Sequence, residues 1–176
     1  MATQIALLRG INVGGRNVAM ERLRTLVGEL DLEKVETFIA SGNVIFDGGR
    51  RGRASLEKAI EQKLEADLGY AVATFIRTPA ALGELLDADP DAEAGGSRYA
   101  VFLKAAPDAA GRKALADLES ERDRLHVIGD HILWWTAGGM MDSGIQGDAL
   151  GKALGGVPTT ARNVNTVRKL ALKYGG

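Results

Sequence analysis

The sequence predicts an α+β protein with a βαββαβ first half and a related, divergent α/β second half that ends in helices. Three observations lead there. Apolar runs of strand length alternate with stripes at helical spacing, Gly, Asn and Ser punctuate them, and the strand, helix, hairpin pattern recurs after residue 97.

Gln4 to Leu8 reads as a buried strand, and Met20, Leu23, Leu26, Val27 and Leu30 then follow at the three- and four-residue intervals of an amphipathic helix. Val35 to Ile39 and Val44 to Phe46 are short β-rich runs, and the turn residues Ala40-Ser41-Gly42-Asn43 between them make a hairpin. The next helix carries Leu56, Ile60, Leu64 and Leu68 on one stripe. Its Glu57, Lys58, Glu61 and Glu65 are expected to face water, and it stops at Gly69 before a strand over Val72 to Ile76. Thr78-Pro79 starts a short helix through Leu86. Asp87 to Ser97 is polar and glycine-containing, so the halves are expected to be 1–86 and 98–176, joined by 87–97 into one compact unit.

The second half opens with a strand over Tyr99 to Leu103 and an Ala/Leu helix near Asp108 to Ser120. A hairpin follows, from Leu125–Val127 to Ile132–Trp135, turning at Gly129-Asp130. Beyond Gly138 the pattern departs from the first half. A glycine-rich loop, a short helix near Asp148 to Leu154, and a last helix with Val164, Val167, Leu170, Ala171 and Tyr174 on one side complete the chain.

Composition narrows the function classes. Of 176 residues, 26% are charged and 45% apolar, the balance of a soluble globular protein. No apolar run approaches the roughly 20 residues of a membrane helix. Met1-Ala2-Thr3-Gln4 lacks the basic-then-apolar layout of a secretory leader, so a cytoplasmic protein with no membrane partner is expected. The absence of cysteine excludes disulfides, thiolate zinc sites, cysteine-held iron–sulfur clusters and cysteine nucleophiles. With 22 basic and 23 acidic residues the net charge is close to zero, but the signs are segregated. Lys152, Arg162, Arg168, Lys169 and Lys173 follow Gly151 with no acid among them, whereas Glu84, Asp87, Asp89, Asp91 and Glu93 form an acidic stretch.

The segment Leu7 to Asn17 holds two arginines, two asparagines and three glycines without a carboxylate, histidine or cysteine. Such a loop suits holding a ligand rather than moving protons. It lies between a strand and a helix N-terminus, where free N–H groups and the helix dipole favour an anion. Arg9 and Arg16 would add charge-assisted contacts, and Asn12, Asn17, Ser41 and Asn43 could donate to phosphate oxygens or a base edge. A right-handed crossover through the first helix makes the first two strands parallel, which brings this loop to the edge that carries Ser41, Gly42 and Asn43 and leaves Arg77 at the far edge. The same residues also suit conformational duties: glycines for tight turns, Asn17 as helix cap, Asn43 for the hairpin turn.

Arg162, Asn165, Lys169 and Lys173 fall at offsets expected to form a basic ribbon on the last helix, suited to a phosphate backbone or simply to solvent. Exposed aromatics for base stacking on the first sheet are missing, since its strands Gln4 to Leu8 and Val44 to Phe46 offer only Phe46. Trp134 and Trp135 must face opposite sides of their strand, one to the core. Gly147 to Ala153 approaches a P-loop but has the wrong spacing and no Ser or Thr after Lys152. His126 and His131 have no third strong metal ligand nearby, and Ser143 lacks nucleophile-elbow spacing.

Leu7 to Asn17 with Met20 and Leu23-Arg24, Thr37 to Val44, and Thr160 to Val167 together resemble the three motifs of the DUF1697 family, uncharacterised and mainly bacterial proteins, across essentially the whole chain. The resemblance implies an α+β architecture with ferredoxin-like character and carries no activity with it. Val164 stands where the family usually has tryptophan, and Gly151 where an acidic residue is common.

The expected function is a binding protein with an anion site at the sheet edge for a phosphate-bearing ligand, including nucleotide or nucleic acid. Its candidate residues are Arg9, Asn12, Gly14, Gly15, Arg16, Asn17, Ser41 and Asn43, joined by Arg162, Asn163 and Lys169. No catalytic residue is assigned, and neither metal nor cofactor is expected. An alternative is a transferase or hydrolase acting on a small phosphorylated metabolite, with the arginines stabilising developing charge. A third is an interaction module that buries the same edge in a homodimer, the oligomeric state being open.

Overall fold

The computed structural model describes residues 2–39 and 42–176. Its elements are β1 (Thr3–Leu8), α1 (Met20–Gly28), β2 (Glu33–Thr37), β3 (Asn43–Asp47), α2 (Arg53–Leu68), β4 (Thr74–Arg77), α3 (Pro79–Asp87), β5 (Ser97–Phe102), α4 (Ala109–Ala116), β6 (Asp123–Ile128), β7 (His131–Thr136), α5 (Ala149–Ala153), β8 (Thr160–Asn163) and α6 (Val164–Tyr174), with one 3-10 turn at Met140–Asp142. The chain is thus a mixed α/β protein with two four-stranded antiparallel sheets and, among the described residues, six α-helices. None of those helices is long and apolar enough to cross a membrane. The structure divides into two units, residues 1–81 with 170–176, and residues 82–169. The acidic stretch before β5 therefore belongs to the second unit, and α6 begins in the second and ends in the first.

In the first unit the strand order is β2-β3-β1-β4. β1 and β2 are both antiparallel to β3, so they run the same way without touching, as the crossover reading requires. One face of the sheet packs Ala6, Leu8, Val44, Phe46 and Ile76 against Leu23 and Val27 of α1 and Leu56, Ile60 and Leu64 of α2. Each of these side chains larger than alanine contributes about 1.5–3 kcal/mol by leaving water. Ile5, Leu7, Ile45 and Phe75, which point to the other face, are buried as well. Apolar runs here are therefore continuous rather than alternating.

Two glutamates of α2 correct the expectation that they face water. Glu57 is buried and accepts the Ile76 backbone N–H at 2.9 Å, while Glu61 accepts that of Thr74 at 2.9 Å. β4 is an edge strand, and these N–H groups point away from β1, so the two carboxylates one helical turn apart satisfy a border that would otherwise be open. Arg53, 3.4 Å from Glu57, and the buried Arg77, at 4.0 Å, supply its countercharge.

The second unit repeats the order as β6-β7-β5-β8, again antiparallel throughout. The echo is fuller than the sequence pattern suggested, because β8 completes the sheet ahead of the last helix, where no strand was expected. Thr160-Ala161-Arg162-Asn163 has no apolar alternation; its strand state comes from pairing with Tyr99–Phe102 of β5. Val101, Leu103, Leu115, Leu125, Ile132, Trp134, Ile145 and Leu150 form the core. Trp134 lies inside and Trp135 is half-buried on the opposite face. Buried Asp123 accepts Trp134 Nε1–H at 3.0 Å, Ser143 Oγ–H at 2.6 Å and the Gly144 N–H at 3.0 Å, fastening the glycine-rich loop to the sheet. Burial by itself raises the Asp123 pKa, but these donors outweigh it and hold the carboxyl below its ordinary value.

Candidate β1–α1 loop site

The loop leaving β1 is built around a tight turn. Arg16 N–H donates to Val13 O at 3.1 Å, with Gly14 and Gly15 between them at φ of +61° and +83°. Two positive φ values in a hydrogen-bonded turn define type I′, which costs an ordinary residue about 1–2 kcal/mol per left-handed position. No heavy atom lies within 4 Å of where a Cβ would stand at either glycine, so backbone conformation, not space, demands them. Asn12 is committed to the loop itself, its Oδ1 accepting the Val18 N–H at 2.8 Å. α1 begins after Ala19 with no side-chain cap, which corrects the capping role foreseen for Asn17; that residue is exposed.

Arg16 is exposed but not adrift. Its guanidinium carbon lies 4.0 Å from the centroid of the Tyr70 ring, a cation–π contact. Its Nη1 returns to Gly10, where a Cβ would be 3.7 Å away, so this guanidinium comes back beside the residue that follows Arg9. Arg9 is half-buried, with its backbone N–H on Ala73 O at 2.9 Å.

Loop and hairpin turn meet, as the topology predicted. Leu8 N–H donates to Gly42 O at 2.9 Å, and a Cβ at Gly42 would stand 3.0 Å from Ile11 Cγ2 and 3.2 Å from Leu8 Cβ. Gly42 also has φ +78°, so both space and conformation require glycine. Asn43 belongs to the turn's interior: it is fully buried and its Nδ2 donates to Phe38 O at 3.0 Å, which removes it from the residues offered to a ligand. Ser41 lies outside the described residues. Ile39 has φ +61° and is 46% exposed, an uncommon backbone for a β-branched residue that nothing in the sequence signalled. Sequence reasoning also missed what packs beside this hairpin. Phe38 and Tyr174 meet edge to face with centroids 6.0 Å apart, and Lys173 Nζ lies 4.9 Å from each ring.

Arg162 is corrected more strongly. It sits in β8, not on the last helix, and is buried, with Nη1 donating to Thr160 Oγ1 at 2.8 Å and Ala161 O at 2.9 Å. Burial pushes its pKa down to about 10, so it stays cationic at neutral pH but is spent inside the sheet. Asn163 ends β8 and its Oδ1 accepts the Asn165 N–H at 2.8 Å; Lys169 is exposed on α6. All three belong to the second unit.

Elsewhere in the second unit, a cleft of about 570 Å³ opens beside α4 and α5, lined chiefly by Ala106, Pro107, Ala110, Ala114, Leu154 and Val157. Its one carboxylate, Asp108, caps α4 through the Gly111 N–H at 2.7 Å. The histidines go to separate carboxylates, His126 to Asp91 and His131 to Asp130. Gly147–Ala153 is no P-loop. Its helix spans five residues, and a Cβ at Gly151 would lie 2.9 Å from Val157 O.

A family model described as protein of unknown function (DUF1697) matches residues 1–133. Among solved structures, the conserved bacterial protein SP0830 from Streptococcus pneumoniae is similar at 24% identity, with a TM-score of 0.74, over 100% of this chain and 99% of that one. That likeness establishes the fold. No curated protein matches.

Proposed function

The chain belongs to the DUF1697 family, proteins of unknown function, and we propose that its β1–α1 loop binds a phosphate-bearing ligand, nucleotide or nucleic acid, at the edge of the first sheet. The observation that carries this reading is the return of the Arg16 guanidinium to Gly10, within its own loop, with the Tyr70 ring stacked against it. Arg9 and Arg16 both belong to the loop that precedes a helix N-terminus no side chain caps. The Gly14-Gly15 turn leaves exposed backbone open to an approaching oxyanion. Glu21 in the first turn of α1 works against an anion, so the arginines supply the attraction. We also read each βαββαβ set as ferredoxin-like, on the strength of the repeated β2-β3-β1-β4 and β6-β7-β5-β8 orders.

The test is binding of a labelled single-stranded oligonucleotide, and of a nucleoside triphosphate, to the wild type and to Arg9→Ala and Arg16→Ala. A charge-assisted contact is worth about 1.5–3 kcal/mol, so each variant should bind some tenfold to a hundredfold more weakly. On the oligonucleotide, each should also lower the salt slope by about 0.7. Wild-type affinity in both folded variants would refute the reading.

A further inference from the structure

The stretch that leads into β5 is folded onto the second sheet. Arg98, Trp135 and Arg124 are in register across β5, β7 and β6, forming one cross-strand row on the face opposite Trp134. The Arg124 guanidinium carbon lies 3.9 Å from the Trp135 ring centroid. Over this row runs an acidic strap, residues 88–96. Asp91 places one carboxylate oxygen 3.0 Å from Arg124 Nη1 and the other 2.8 Å from His126 Nε2. Asp89 pairs with Arg98 and also accepts the Asp91 N–H at 2.9 Å, and Trp135 Nε1–H donates to Gly95 O. Asp91 is 7% exposed, whereas the Arg124 side chain is 45% exposed and His126 33%.

We propose that Arg98, Trp135, Arg124 and His126 form a second polyanion-binding face, for single-stranded nucleic acid, and that Asp89 and Asp91 are its intramolecular occupants, an autoinhibitory strap. An aromatic ring flanked by guanidinium groups in one cross-strand row of an antiparallel sheet provides what a stacked base and its phosphates need. The carboxylates occupy the positions in which phosphate oxygens would be bound, since both are recognised by the same charge-assisted N–H donors. Ala88, Pro90, Ala92, Glu93, Gly95 and Gly96 of the strap are exposed. Beyond the contacts already named it is held by backbone hydrogen bonds, from the Ala88 and Asp89 N–H groups to Glu84 O and Leu86 O and within the strap from the Ala94 N–H to Asp91 O. Buried ion pairs contribute little net stability once desolvation is counted, so exchanging carboxylate for phosphate is close to balanced. At the strap's end Gly96 has φ +89° and approaches β7 so closely that a Cβ would lie 2.4 Å from Thr136 O. That residue is the natural pivot.

This face lies wholly in the second unit and the β1–α1 loop in the first, so the two readings are separated by doing the experiment in an Arg9→Ala/Arg16→Ala background. Short fluorescein-labelled oligothymidylate is titrated against that parent and against the same chain carrying Asp89→Asn and Asp91→Asn, with fold and melting temperature checked by circular dichroism. A closed strap reduces apparent affinity in proportion to the open fraction, so the strap variant should bind roughly tenfold more tightly or better. Adding Arg98→Ala and Arg124→Ala should abolish the gain. A folded strap variant that binds no more tightly than the parent overturns the proposal. Should the variant not fold, hydrogen exchange on the unmodified strap decides: saturating oligothymidylate should speed amide exchange across 88–96 and quench tryptophan emission, and no change in either overturns it.

Discussion

The two units solve the same topology with different first crossovers. From β5 the chain reaches α4 in the six residues 103–108, and Asp108 caps the helix at once through the Gly111 N–H. From β1 it takes the eleven residues 9–19 to reach α1, and no side chain caps that helix. The second loop satisfies its own helix N-terminus with a carboxylate; the first spends five extra residues on glycines and arginines and leaves the N-terminus open. Where a repeated architecture adds length and withholds a cheap stabiliser, function is the better explanation of the exception.

Asp123 ties the glycine-rich loop to the second sheet through Ser143 and Gly144. Asp123→Asn should cost about 1–3 kcal/mol, read from urea unfolding at neutral pH. Its folded-state pKa is lowered, so its contribution is present above the ordinary carboxylate value of 3.8 and is lost as pH falls through the folded-state value. The Asn variant should therefore show a flatter acid limb, and an unchanged limb would remove Asp123 from the account of acid stability.

A smaller effect separates steric from conformational demand. Gly42→Ala should lose about 2 kcal/mol or more, combining its left-handed φ with the contact on Ile11, while Gly14→Ala loses only about 1 kcal/mol for the φ alone. Equal melting temperatures for the two variants would deny that the turn and the loop press on each other. Asp108→Ala should cost about 1 kcal/mol by making the second crossover resemble the first. The reciprocal change is the gentlest: Ala19→Asp should stabilise α1 by roughly 0.5–1 kcal/mol while weakening phosphate binding. Stabilisation without weakening would detach the helix N-terminus from the ligand site.

The sequence made legible whatever depends on neighbours in the chain. Helical stripes such as Leu56, Ile60 and Leu64 report burial through period alone, and Gly42 and Gly14-Gly15 announce turns because few other residues adopt their backbone. The meeting of the loop with the turn also followed from crossover handedness. What stayed hidden depends on partners far along the chain. Thr160–Asn163 becomes a strand only beside β5, and Arg162 is buried for that reason. Glu57 and Glu61 read as solvent-facing because their acceptor role exists only once β4 lies beside α2. Arg16 finds Tyr70, and Asp91 finds Arg124 and His126, through tertiary contacts that no local spacing encodes.

Those two α2 glutamates have a further consequence for how the molecule behaves in a crowd of its own copies. A neighbouring chain seeking to lengthen the first sheet at β4 must first evict both side chains from the amides they occupy. Fibre-like growth and strand exchange are therefore blocked on that flank by chemistry rather than by bulk.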